Sequence, residues 1–125
     1  MNAKSNDIRR IQEMYTIIEQ TNRSLAELQM TKDAFVLPKG VKEELIVEGL
    51  ENRVFRVAEE GGQLSAEAEA YGFDCKSMRG IRNLLAHAYG EIDRRIIWDV
   101  LKKDFPALLN SCRNYCADNN IELPE

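Results

Sequence analysis

Apolar residues near the start of the chain recur in steps of three and four: Ile8, Ile11, Tyr15, Ile18, then, after Asn22, Leu25 and Leu28. That spacing is the stripe of an amphipathic helix, interrupted once at Asn22, and Asn6 or Asp7 is placed to cap its N-terminus. Thr31-Lys32-Asp33 opens a break that continues through Leu37-Pro38-Lys39-Gly40, where proline and glycine discourage helix, although a short helical turn around 34–36 fits. From 41 to about 60, Ile46, Leu50, Val54, Val57 and Ala58 form a second stripe, with Glu48, Asn52, Arg53, Arg56 and Glu59 elsewhere on the helix. Gly61-Gly62 should weaken or end it.

Residues 63–71 are rich in Ala and Glu and either extend the second helix or form a short one before Gly72. Asp74 or Cys75 then opens a third helix reaching Tyr89, with Gly90 as its stop. Asp93 caps a fourth, about 94–103, carrying Ile96, Ile97, Val100 and Leu101 beside Trp98. Asp104 with Pro106 reads as a further N-terminus, because proline is tolerated only in a helix's first turn, so a fifth helix is expected over about 105–118. Connections this short join antiparallel neighbours. The pattern predicts an all-α, antiparallel four- to five-helix bundle in one domain, 1–125, with a frayed tail at 119–125.

Composition agrees with that class. The 125 residues are 44% apolar and 30% charged, with only 7 Gly and 3 Pro, too few turn signals for an all-β fold. A net charge of −4 and a pI near 5.1 argue against a general nucleic-acid coat protein, though not against a local basic site. No apolar run approaches the ~18 residues of a membrane span, and the first residues lack the oily core of a signal peptide, which points to the cytoplasm. The three cysteines are an odd number in a chain long enough to fold without disulfides. Cys112 and Cys116 stand four apart on one helix, but a zinc site needs four ligands, and the single histidine and remaining cysteine lie on a different helix. Packed thiols are the simpler reading, and no metal is expected.

The chemistry concentrates in the third helix. At about 100° per residue, Arg79, Arg82, Asn83, Ala86, His87 and Gly90 fall on one side, and Met78, Ile81, Leu84, Leu85, Ala88 and Tyr89 on the other. An oily back therefore carries a cationic front, on which Gly80, Ala86 and Gly90 leave room for another helix or a phosphate. Histidine can move protons near neutrality and a guanidinium offers bidentate donors to phosphate, so the face invites an anion or a partner. Arg79 and Arg82 could also be a solvated face or pair with Glu59, Glu60 or Glu91, and His87 could serve the helix dipole.

The string RNLLAHAY followed by GEIDRRIIWDVLKKDFPAL resembles the HEPN superfamily, and within it the HepT-like toxins of prokaryotic toxin–antitoxin systems, whose mark is Arg-x4-His-x-Tyr. Here the match is Arg82, His87 and Tyr89, and the upstream 57–65 stretch looks like the family's second-helix ending, with Glu59 at its acidic position. The resemblance covers nearly the whole chain and is most specific from about Cys75 to Leu108. Two departures stand out: Cys75 occupies a place where tryptophan is common, and glycines stand near Glu59 where alanines are more usual.

The resemblance implies a homodimer whose motif helices meet near the two-fold axis in a composite, metal-independent endoribonuclease site acting on RNA, whether tRNA or mRNA. By that resemblance Arg82 and His87 are catalytic, Arg79, Asn83 and Glu59 support RNA binding, and Tyr89 accepts AMP. An MntA-like nucleotidyltransferase antitoxin would perform that transfer, using ATP. The toxin itself would need no cofactor. Another reading is a non-catalytic helical partner subunit that binds and positions a nucleotidyltransferase.

Overall fold

The structure, a computed structural model, describes residues 2–87 and 91–124, and every regular element in them is helical. In chain order these are α1 (Ala3–Glu27), α2 (Lys32–Val36), α3 (Gly40–Gly61), α4 (Ala66–Glu69), α5 (Cys75–His87), α6 (Arg94–Asp99) and α7 (Phe105–Asp118). A π-helical turn, Val100–Asp104, joins α6 to α7. The all-α bundle expected from the pattern is what the chain forms. α1 packs against both α3 and α7, α5 lies on α3, and α2 closes over α6.

α1 buries Ile11, Tyr15, Ile18 and Leu25, as its stripe predicts, and also Met14, Ile17 and Thr21. The buried face is wider than one stripe because the helix is held between two neighbours. Neither Asn6 nor Asp7 caps it. Asn2 does, accepting the Ser5 N–H at 2.9 Å, and Asp7 is buried inside the bundle, accepting the Ser65 N–H at 3.0 Å and the Ser65 hydroxyl. Ser65 in turn caps α4 through the Ala68 N–H. The Ala/Glu-rich segment is thus a short helix of its own, pinned to α1 from far away in sequence.

At its other end α1 stops without a glycine. Gln29 takes φ 50°, and the N–H groups of Gln29 and Met30 reach back to the carbonyls of Ala26 and Leu25, a Schellman closure. α3 carries the expected stripe, with Leu50, Val54, Val57 and Ala58 buried and Val47 added to it.

The C-terminal region differs from the expected pair of separate helices. Asp104 is helical (φ −76°, ψ −41°) and makes no side-chain cap; α6, the π turn and α7 run on as one rod. Pro106 has no N–H and its ring crowds the carbonyl four residues back. Widening the preceding turn, with Phe105 N–H donating to Val100 O, accommodates it without a break. Beyond α7, Asn120 at φ 55° turns the chain, Ile121 N–H donates to Cys116 O at 2.8 Å, and Ile121 and Leu123 pack on the core. That core centres on Phe35, Phe73, Phe105, Ile97 and Leu101, with Trp98 tilted against Phe35 at 5.5 Å between ring centroids.

Candidate functional site

α5 is the edge helix of the bundle, and its exposure follows the two-sided pattern of its sequence. Cys75 and Met78 are buried, and Ile81, Leu84 and Leu85 are half-buried against the core. Arg79, Gly80, Asn83, Ala86 and His87 are exposed. Asp74 supplies the helix start, accepting the backbone N–H of Ser77 at 3.0 Å and its hydroxyl at 2.7 Å, and these bonds hold the Asp74 carboxyl below the usual carboxylate range.

The helix comes close to the end of α3 because two glycines stand there. A β-carbon on Gly61 would lie 2.1 Å from Met78 Sδ, and one on Gly62 would lie 2.8 Å from Arg79 Cγ. Gly62 has an ordinary helical φ of −69°, so these glycines serve approach rather than backbone freedom.

Close approach sets up a groove of about 280 Å³ lined by Glu59, Gly62, Gln63, Arg79, Arg82 and Asn83, among others. Arg79 Nη1 donates to Gly62 O at 2.8 Å. Arg82 Nε donates to Glu59 Oε2 at 3.4 Å, its Nη1 donates to Asn83 Oδ1 at 3.3 Å, and its guanidinium lies 5.7 Å from the centroid of the Phe55 ring. Both members of the Arg82–Glu59 pair keep more than a third of their side-chain surface exposed, so the bond is weak and exchangeable for an incoming anion. Of the candidates read from the sequence, Arg79, Arg82, Asn83 and Glu59 therefore share one groove. His87 does not line it; it lies on the last turn of α5, exposed. Tyr89 and Gly90 lie outside the described residues.

Phe55 was missed by the stripe of α3. It is one turn before Glu59 on the same face, and that i, i+4 spacing was the available signal. It underlies Arg82 and also lines the adjoining hollow with Leu85, Ala86 and Ile92.

The model of the HepT-like family, described as ribonuclease HepT-like, matches residues 34–115. The chain belongs to that family. No curated protein and no solved structure matches it. The matched stretch runs from α2 into α7 and contains the whole Arg79–Arg82–Asn83–Glu59 groove and His87, whereas α1 precedes it.

The cysteines of this HepT-like chain are packed groups. Cys75, Cys112 and Cys116 are free thiols with almost no exposed surface, and burial pushes Cys112 up to about 12 and Cys75 up to about 11. Among the described residues no three His, Cys, Asp or Glu side chains gather as metal ligands would, and no helix is long and apolar enough to cross a membrane.

Proposed function

We propose that this HepT-like protein is the toxin of a cytoplasmic toxin–antitoxin pair and acts as a dimeric, metal-independent endoribonuclease. Membership in the HepT-like ribonuclease family supports this reading, together with the placement of Arg82, Asn83 and His87 on the open side of one edge helix. The chemistry needs no outside nucleophile. His87 takes the proton of the 2′-hydroxyl, the oxygen attacks the adjacent phosphorus, and the 5′-oxygen leaves with a proton, giving a 2′,3′-cyclic phosphate and a 5′-hydroxyl end. Arg82 stabilises the charge on the phosphorane oxygens, exchanging Glu59 for phosphate, while Arg79, Asn83 and Glu59 line the path of the RNA.

Arg82 and His87 are five residues apart, about 140° around a regular helix. A two-fold axis beside α5 brings Arg82 of one protomer and His87 of its partner to a common groove. Gly80 favours that arrangement: it is exposed, and a β-carbon there would meet nothing within 4 Å in the single chain.

Tyr89, seven residues beyond Arg82, is the regulatory position. Its phenol oxygen would attack the α-phosphorus of ATP on an MntA-like nucleotidyltransferase, releasing pyrophosphate and leaving an AMP whose bulk and phosphate charge would compete with substrate. The deciding experiment is cleavage of tRNA and mRNA by the purified protein in excess chelator. Activity lost in Arg82→Ala and in His87→Ala, with dimers and thermal midpoint kept, is expected. Cleavage that persists in His87→Ala overturns the mechanism. A protein that binds the nucleotidyltransferase yet never cuts RNA is instead a non-catalytic partner subunit. Tyr89→Phe should cut RNA but take up no AMP.

A further inference from the structure

A second groove lies directly behind the first. It also measures about 280 Å³, and Glu59 is a wall of both. Its sides are Arg9 and Glu13 from α1 and Arg56, Glu59 and Glu60 from α3, and its floor is apolar, made by Ile17 and Phe55. α1 lies outside the stretch that matches the family model, so the groove joins residues within that stretch to residues before it.

The groove is lined by two arginines and three carboxylates, and Arg10 and Arg82 each bond one of those carboxylates from its edge. Glu60 is shared by two arginines: Arg10, largely buried, at 3.0 Å, and Arg9, whose side chain is 57% exposed, at 3.3 Å. Arg10 already neutralises Glu60, so the Arg9 charge is surplus. Arg56 meets Glu13 at 3.1 Å with both side chains about half exposed, and Glu59 is engaged by Arg82. Four arginines line the two grooves and Arg10 stands behind them, against three carboxylates, in a chain whose net charge is −4. Positive charge is concentrated here against the sign of the whole molecule. Each exposed guanidinium uses one donor on its carboxylate and keeps others for a phosphate, and exposed pairs of this kind contribute at most about 1 kcal/mol.

We propose that the Arg9–Arg56 groove is a second subsite for single-stranded RNA. Arg9 and Arg56 hold a phosphate beyond the one at Arg82, and a base lies on the Phe55–Ile17 floor. The chemistry fits one partner class: a backbone phosphate needs guanidinium, and an unstacked base needs an apolar or aromatic surface. The subsite rests on the ribonuclease reading above and lengthens its footprint along the strand.

The test measures binding of a short 2′-O-methyl oligoribonucleotide, which cannot be cleaved, as a function of salt and of oligonucleotide length. It compares the full-length protein with Arg9→Gln, Arg56→Gln and the double variant. Arg113→Gln is the control, since Arg113 is equally exposed and pairs with Glu19 away from both grooves. Each single change should weaken binding roughly three- to tenfold at low salt and lower the salt slope by about 0.7, twice that for the double variant. The double variant should also lose the affinity gained when the oligonucleotide is lengthened, while Arg113→Gln behaves as the parent. If the parent binds and cuts RNA but Arg9→Gln and Arg56→Gln match Arg113→Gln in affinity and slope, the subsite is overturned and the ribonuclease reading stands. If the parent neither binds nor cuts RNA, both fall together.

Discussion

Gly62→Ala adds one methyl group where α3 ends and α5 crosses it. The backbone tolerates it, because φ −69° and ψ −11° suit any residue. The methyl would lie 3.1 Å from Ala58 O and 2.8 Å from Arg79 Cγ. Ala58 O is fixed, since it accepts the residue 62 N–H at 2.9 Å in the last turn of α3. The Arg79 stem must therefore move, by about 0.6 Å to restore an ordinary contact of 3.4 Å. The same side chain is tethered by its 2.8 Å bond to the residue 62 carbonyl, so the shift bends or breaks that bond.

A hydrogen bond from a charged donor contributes about 1.5–3 kcal/mol when well buried, and Arg79 is exposed, so about 1 kcal/mol is at risk. Replacing glycine stiffens the unfolded chain and returns roughly 0.5 kcal/mol. The net destabilisation is small, about 0.5–1 kcal/mol, or a few degrees in thermal midpoint. RNA affinity should fall more than stability does, because Arg79 is displaced from the groove it lines. Thermal unfolding and binding of a non-cleavable RNA, measured on the same preparation, test this. An unchanged midpoint with unchanged RNA affinity would refute the reasoning, since it would mean that the Arg79 stem is not held against residue 62.

Gly80→Ala should raise the monomer's stability by up to about 1 kcal/mol through helix propensity, since nothing stands within 4 Å of the new methyl, yet weaken the dimer; sedimentation across a dilution series reads both forms. Arg94→Met removes the cation bonded to Glu44 at 2.8 Å and to Glu51 at 3.1 Å; because Glu51 is only 8% exposed, its uncompensated charge should cost about 2–3 kcal/mol in urea unfolding, and adding Glu51→Gln should recover part of it. Asp74 is held below the ordinary carboxylate range by its hydrogen bonds from Ser77, Asp93 by the Arg95 guanidinium and then the Arg95 backbone N–H, and Glu44 by Arg94, so their contribution is complete above the unfolded pKa, about 4, and is lost as pH falls through the depressed folded values. Asp104, raised by burial, works in the opposite direction, and Asp74→Asn with Asp93→Asn should flatten the acid limb of a midpoint-against-pH curve. A disulfide reagent should find almost no reactive thiol in the native protein and three in denaturant, because burial raises Cys75, Cys112 and Cys116.

Where one helix face meets one neighbour, the hydrophobic period was enough to read the fold. The two-sided pattern of α5 came through because its one oily side lies on α3. The period said less where a helix is enclosed, as α1 is between α3 and α7 and α3 between α1 and α5: Met14, Ile17 and Val47 fall outside the stripes, and Asp7, which reads as a cap, is buried in the bundle. Turn chemistry misled where an unusual residue did the work. Gln29 and Asn120 close helices in the left-handed conformation usually given to glycine, and the π turn absorbs a proline that otherwise signals a boundary. In the site, residues of α5 were legible because one helical period relates them. Phe55, Arg9 and Arg56 were not, since only tertiary packing brings α1 and α3 to the motif.

The glycines around α5 divide the same way, and their division states how the site is held. Gly61 and Gly62 face inward and are filled by Met78 and Arg79, so their lack of a side chain fixes the motif helix on α3. Gly80 faces outward onto open space, and its lack of a side chain does nothing for the single chain except cost helix propensity. The inward pair sets the Arg79–Arg82 groove within the chain, and the open space at Gly80 is where the proposed dimer would bring a second helix. On that proposal α5 is fixed on α3 on one side and open to a partner on the other.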